Sequence, residues 1–542
     1  MSDSSSESNS SVLDSIRYTF ERTLDTIRGS SIELESYQPD KHGSLISFSG
    51  FSEYEEVERY WVNAPYAFVS INYDDENNEH LYYIVEPELN EFERSLLTDL
   101  FSDIRDSLIY KAEYHSDEAE EAIKQQMQNL LEEYGVDIDM NTFYRLYYYV
   151  YRTFEGYEKI DPIMHDPHIE DISCDGYDLP IFVYHDEYDD IETNISFKDD
   201  SLDSFVVRLA QQSGRHISIG QPVSEITLPD GSRAELALGE EVTPRGSAFT
   251  IRKYSEEPFT PIDLIDYNTF NVDQMAYLWL AIENNKSLIF AGGTASGKTT
   301  SMNATSMFVT PRSKVVTIED TRELTLYHDN WLSSITRENI GQGEDITMYD
   351  LLRSALRHRP EYIIVGEVRG REAMTLFQAM NTGHTTYSTM HADSVQTVIN
   401  RLENDPINVP RAMIQSLDIL CVQTLTYVDD SRVRRNQEIA EIEGIDQRTG
   451  DLDYSNVYTW DPVDDTFEEH DSEVLDEIQE DYGWSRSEMR REFRNRKQVL
   501  EYLYENDVTD YRQFTTIINE YYAHPDRVME RIGGEESPLA SR

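Results

Sequence analysis

The sequence predicts an α/β protein centred on a largely parallel sheet, and three observations carry that prediction. From about residue 262 to 428, short apolar runs alternate with helical patterns, the rhythm of strands joined by crossover helices. Within that stretch lies Ala291-Gly292-Gly293-Thr294-Ala295-Ser296-Gly297-Lys298-Thr299-Thr300, a fit to G-x-x-x-x-G-K-[ST]. Residues 287–290 before it read as a short buried strand, and residues 298–309 after it as a helix.

That strand–loop–helix context gives the motif its chemistry. The glycines let successive backbone N–H groups turn inward and cradle phosphate oxygens at a helix N-terminus. Gly292, Gly293, Thr294, Ala295, Ser296, Gly297, Lys298, Thr299 and Thr300 are therefore the expected nucleotide-binding set. Lys298 is placed to reach the β- and γ-phosphates, and the Thr299 hydroxyl to bind Mg²⁺. A nucleoside triphosphate with Mg²⁺ is the expected ligand pair.

The rest of the chain bounds the setting. Its 542 residues suggest three or four domains. The formal charge is −58, from 104 Asp plus Glu against 46 Lys plus Arg. Such acidity fits either basic partners or a surface adapted to high salt, where mobile ions screen self-repulsion. Because the acidic residues run along the whole chain, the salt-adapted reading and a halophilic source are expected. Direct binding to nucleic acid is not, since that needs clustered positive charge. Cys174 and Cys421 have no metal or redox spacing and read as reduced, partly buried thiols. No apolar run approaches the ~18–20 residues of a membrane span. The expected location is cytoplasmic and peripheral to the inner face of the cell membrane, without insertion.

The pattern suggests the following organisation: a polar tail over 1–11, an α/β module over 12–115 and a second, arginine-bearing α/β domain over 116–254. A linker over 255–263, an ATPase domain over 264–428 and a charged, mainly helical region over 429–542 follow. Val12, Leu13, Ile16, Phe20, Leu24 and Ile27 recur at helical spacing before Gly29, a helix that packs on its own domain or docks elsewhere. Tyr144, Tyr147, Tyr148 and Tyr151 form an i, i+3, i+4, i+7 stripe, read as core. Pro258 and Pro261 exclude a continuous helix in the linker. Helical patterns at 472–482, 485–506 and 509–522 enclose a single basic cluster, Arg486, Arg490, Arg491, Arg494, Arg496 and Lys497. Salt bridges to acidic neighbours are its plainest use, with RNA or lipid contact the lesser alternative.

Three further segments bear on how a bound nucleotide is used. Residues 313–323, SKVVTIEDTRE, are a buried strand running into acidic residues at the sheet edge where ligands bind. Glu319 there is the candidate to position or activate the attacking water. Residues 360–369, PEYIIVGEVR, resemble a Walker B strand ending in Glu367, with Gly366 where an Asp is usual. Glu367 is the candidate to support Mg²⁺ and its water. Residues 382–391, TGHTTYSTMH, carry His384 and His391 into a strand, where ordinary structural histidines remain an open alternative. No Cys or carboxylate completes a metal set there.

Together these boxes resemble the secretion ATPase superfamily, the motors of type II secretion, type IV pilus assembly, the archaellum and type IV secretion. The Walker A, Asp box, Walker B with Gly-Glu, and His box stand in that family's order over roughly residues 200–425. The resemblance implies a RecA-like P-loop motor domain preceded by a mobile N-terminal α/β domain, assembled as a homohexamer. It implies that Arg208, Arg215 and Arg233 act as arginine fingers, with Arg337 a weaker candidate, and that His384 and His391 sense the nucleotide state. It also looks archaeal. The implied function is an ATPase motor for pilus-like filaments or type II-like secretion, acting on a polytopic membrane platform protein. An archaellum motor, a low-turnover nucleotide-binding scaffold and a nucleic-acid translocase are the alternatives.

Overall fold

The computed structural model describes residues 37–108, 116–254, 257–337, 345–429 and 431–533. The expected tail and the helix over Val12–Ile27 lie outside these residues, as do Ser255 and Glu256 of the linker. The chain divides into two units, one holding the described residues of Met1–Ile226 and Ala234–Lys253, the other Thr227–Arg233 and those of Tyr254–Arg542.

The first unit is built on one mixed sheet. Its strands are β1 (Glu55–Asn63), β2 (Ala67–Asp74), β3 (Glu79–Val85), β4 (Ile169–Cys174), β5 (Pro180–His185), β6 (Asp189–Ser196), β7 (Val223–Thr227), β8 (Arg233–Ala237) and β9 (Ala248–Arg252). Their order is β1-β2-β3-β6-β5-β4-β9-β8-β7. The parallel pairing of β3 with β6 joins strands from before residue 90 to strands from after residue 168. Helices α1 (Glu91–Leu108), α2 (Ser116–Tyr134) and α3 (Met140–Phe154) share a cluster that includes Leu100, Met127 and Leu146. Asp139 caps α3 by accepting from the Thr142 N–H. The tyrosine stripe does pack as core: Tyr144, Tyr147 and Tyr148 are buried, and Tyr151 packs against the same cluster. Helix α4 (Asp199–Gln212) stacks Phe205 on Phe197.

The second unit has nine strands in one sheet: β10 (Leu288–Gly292), β11 (Val315–Glu319), β12 (Trp331–Ile335), β13 (Tyr362–Val365), β14 (Thr385–His391), β15 (Ile419–Val428), β16 (Ser431–Ile445), β17 (Leu452–Asp461) and β18 (Thr466–Glu469). The order is β12-β11-β13-β14-β10-β15-β16-β17-β18. The first six run parallel and the last three antiparallel. The six are covered on both faces, because strand residues alternate in direction. Leu288 and Phe290 enter one core with helices α5 (Val272–Glu283) and α6 (Lys298–Ser306). Ile289 and Ala291 enter the other with α7 (Met348–Ala355), α8 (Glu372–Asn381) and α9 (Val395–Glu403). In this ordering β14 separates the loop strand β10 from β13, and every parallel strand ends at the same edge.

The linker differs from its expectation in one respect. Pro261 does not only break helix; it begins one, Pro261–Asp266, under a capping box of Thr260 and Asp263. Residues 431–469 also differ, forming β16–β18 ahead of helices α10 (Glu473–Tyr482), α11 (Arg486–Glu505), α12 (Tyr511–Ala523) and α13 (Pro525–Ile532). Part of the basic cluster pairs with acidic neighbours on α5: Arg496 binds Glu283 at 2.6 Å and Lys497 binds Asp273 at 2.7 Å. Cys174 and Cys421 are buried free thiols. Among the described residues no helix is long and apolar enough to cross a membrane.

Candidate functional site

The phosphate loop leaves the C-terminal end of β10 and feeds the N-terminus of α6. Gly297 takes the left-handed conformation at φ 86°, and Ala295 does so at φ 58°. No side chain caps α6, so its first N–H groups are presented to the loop's concave side. A Cβ on Gly293 would meet nothing within 4 Å, whereas one on Gly292 would strike Ser296 Oγ at 2.3 Å. The crest is open and the base is closed. Lys298 Nζ donates to the Gly293 carbonyl at 2.6 Å, as does Ser296 Oγ at 3.0 Å, so the lysine is folded over the loop it serves. Thr299 and Thr300 lie in the first turn of α6. This set fits a polyphosphate: an uncapped helix end, an open crest and one ammonium group.

His391 stitches the loop to the sheet. It ends β14 level with Gly292, and its Nδ1 lies 3.0 Å from the Gly292 carbonyl. A carbonyl only accepts, so Nδ1 carries a proton, and Nε2 is hydrogen-bonded with the Thr294 hydroxyl at 3.1 Å. His391 therefore touches the loop directly. His384 does not: it precedes β14 at the opposite sheet edge, seven residues and roughly 23 Å of extended strand away, bonded to Thr382 Oγ1. The strand that links the two histidines keeps them apart.

Two carboxylates close the edge. Glu319 ends β11 with 1% of its surface exposed. Its Oε1 accepts the N–H groups of Glu323 and Leu324 at 2.9 and 2.8 Å, while Oε2 is buried without a partner among the described residues. Burial pushes its pKa up to about 7, against the pull of those two N–H groups. Glu367 follows β13 and is partly exposed, ion-paired with Arg369 at 2.7 Å. The turn that carries Glu367 is held by Thr389, whose hydroxyl donates to the Gly366 carbonyl at 2.7 Å.

The arginines are placed differently from one another. Arg233, in the hairpin segment grouped with the second unit, brings NH1 to 4.0 Å from Glu323, four residues beyond Glu319. Its Nε is buried without a partner among the described residues. Arg208 donates to the carbonyls of Thr153 and, at 3.1 Å, Gly156, and pairs with Glu158 at 3.3 Å, all within the first unit. Arg215 is half-buried just after α4. Arg337 is exposed and bridges Ile346 through its backbone, at the edge of a segment outside the described residues. One functional candidate escaped the sequence reading: Arg434 on β16, whose Nε donates to the Ala295 carbonyl at 3.0 Å.

One further cluster, His168, His185 and Asp186 in the first unit, has ligand atoms within 4.8 Å of one another. His185 has both ring nitrogens occupied, Nε2 by the Tyr60 hydroxyl at 3.2 Å and Nδ1 by the Glu187 N–H at 3.1 Å, as a structural histidine does.

The family described as Type II/IV secretion system protein matches residues 166–508, and the one described as PilB3-like, N-terminal matches residues 14–88. An uncharacterized protein of Methanocaldococcus jannaschii is 38% identical over 381 residues, covering 69% of this chain and 69% of that protein. The type IV secretion system protein PtlH of Bordetella pertussis is 30% identical over 260 residues, 41% of this chain and 76% of PtlH. Among solved structures, the VirB11 ATPase of the Brucella suis type IV secretion system is 24% identical with a TM-score of 0.27, over 51% of this chain and 94% of that one. The pilus retraction motor PilT with bound ADP is 19% identical with a TM-score of 0.37, over 61% and 88%.

Proposed function

The chain belongs to the type II/IV secretion system protein family, and we propose that it is an ATPase motor of that class. It acts as a homohexamer that drives assembly of a type IV pilus-like filament, or type II-like secretion, by pushing on a polytopic membrane platform protein. The observation that carries the ATPase reading is Glu319, a buried carboxylate at the ligand edge of the sheet that bears the phosphate loop, with one oxygen unpartnered among the described residues. The PilB3-like match at residues 14–88 leans toward the pilus branch over the archaellum.

The roles follow from placement. The loop N–H groups and Lys298 bind the phosphates and hold them in line for attack. Water attacks the γ-phosphorus, the bond to the β-phosphate oxygen breaks, and the water proton passes to Oε2 of Glu319. His391, bonded to both Gly292 and Thr294, reports a change of loop conformation to β14. Thr299 and Glu367 are the residues that would hold Mg²⁺, which when bound neutralises charge on the transferring phosphoryl group. The acidic surface reads as salt adaptation, so the reaction belongs in concentrated KCl.

The test is ATP turnover by the full chain at about 1 M KCl, where exposed charges are screened within ~3 Å, for wild type and Lys298→Ala. Loss of turnover in a variant that melts like wild type is expected; normal turnover in that folded variant sinks the proposal. In the host, the same variant losing pili but not swimming supports the pilus branch, and the reverse supports the archaellum.

A further inference from the structure

The charged hairpin beyond the parallel sheet brings an arginine to the phosphate loop. Gly292, the last residue of β10, is level with Gln423 on β15, and Arg434 on β16 is level with Leu425. Arg434 therefore lies two residues, roughly 7 Å, beyond the strand end from which the loop departs. The register that puts it there depends on a bulge. Val422 faces Glu438 and Gln423 faces Asn436, so Gln437 is the extra residue, and such bulges re-aim side chains beside functional sites.

Alternation along β16 then divides the neighbouring arginines. Arg435 is buried and locked, with Nε and NH2 on the two carboxylate oxygens of Asp465 at 2.7 and 2.8 Å and NH1 on the Tyr267 carbonyl at 2.9 Å. Arg434 turns to the opposite side, where its Nε reaches the Ala295 carbonyl at 3.0 Å. A Cβ on Gly297 would come within 3.4 Å of its Cδ. The Arg434 side chain thus lies against both left-handed residues of the loop, its Nε at Ala295 and its Cδ at Gly297. A guanidinium is planar and permanently charged, a shape that matches phosphate oxygens.

We infer that Arg434 is a phosphate-binding residue of the nucleotide site, delivered by the same chain on β16. This rests on the ATPase reading above and deepens it. A second cation at the loop that carries Lys298 suits a ligand with several phosphate charges, and the same chain supplies it.

The experiment is titration of a fluorescent ADP analogue onto the full chain for wild type, Arg434→Ala, Arg434→Lys and Lys298→Ala, with the melting midpoint of each nucleotide-free protein. Arg434→Ala is expected to weaken binding roughly tenfold to a hundredfold, with an unchanged midpoint. Arg434→Lys is expected to recover part of that loss, because an ammonium group still meets phosphate. If Arg434→Lys binds no better than Arg434→Ala, the side chain only braces Ala295 and the inference is overturned. Wild-type binding by Arg434→Ala alongside lost binding by Lys298→Ala also overturns it, while the ATPase reading stands. Wild-type binding by both variants removes the phosphate-loop reading as well.

Discussion

Glu319 and Glu367 end neighbouring parallel strands, yet the protein treats them in opposite ways. Ile318 is level with Val365, so Glu319 stands beside Gly366, and Glu367 lies one residue further out. Glu319 is buried, accepts two backbone N–H groups on one oxygen and holds a proton up to about pH 7. Glu367 is partly exposed and faces the guanidinium of Arg369. In the strand order β13 is two steps from the loop strand and β11 is three, with each step about 4.8 Å. The carboxylate that is nearer and partly exposed suits a cation close to the phosphates. The farther one, dry and with a raised pKa, suits removal of a proton from water. In the proposed mechanism, position relative to the loop and degree of burial separate the roles of two chemically identical groups.

The largest expected effect breaks or confirms that division. Glu319→Gln should lower kcat about a hundredfold to ten-thousandfold, the span of a lost general base, and leave the Kd for ADP near wild type. Steady-state turnover and nucleotide titration measure both, and a loss under tenfold reverses the assignment. In wild type, kcat/KM should rise with pH through about 7 as Glu319 ionises, and the Gln variant should lose that limb. Stability has the opposite sign. The folded chain binds this proton more tightly than an unfolded chain with the ordinary value of 4.5. Its stabilising contribution is therefore complete below about 4.5 and lost as pH rises through 7. Glu367→Gln should cost less, about tenfold to a hundredfold in activity, with part of the loss restored by added Mg²⁺. If no Mg²⁺ concentration narrows the gap, Glu367 does not support the metal.

The site was legible where strands are apolar and illegible where they are charged. VVTI and YIIV announced β11 and β13, and the glycine spacing announced the loop, because both faces of those strands are buried. The same logic failed for β16, where Glu441 is buried against Tyr277 and Ser472 and breaks the alternation that would have marked a strand. Arg434 went with it, since a basic run in a charged tract reads as a solvated helix until its register is known. The edge strand β1, exposed along most of its length, carries too little alternation to be seen. For His384 and His391, sequence proximity was itself misleading: a strand converts seven residues into opposite sheet edges.

Gly366 offers the finest test of the comparison. Its position beside Glu319 is what departs from the usual Walker B pattern. A Cβ there would lie 3.4 Å from Glu319 Cγ, ordinary contact, and its φ is not in the left-handed region. Gly366→Ala should therefore keep turnover within about twofold of wild type, with the pH limb near 7. An Asp at the same position fits the backbone equally well but sets a second carboxylate against Glu319. Mutual repulsion should then move the limb above 7, since like charges disfavour ionisation. An unmoved limb in Gly366→Asp would mean that the group titrating near 7 is not Glu319, whatever Glu319→Gln does to the rate.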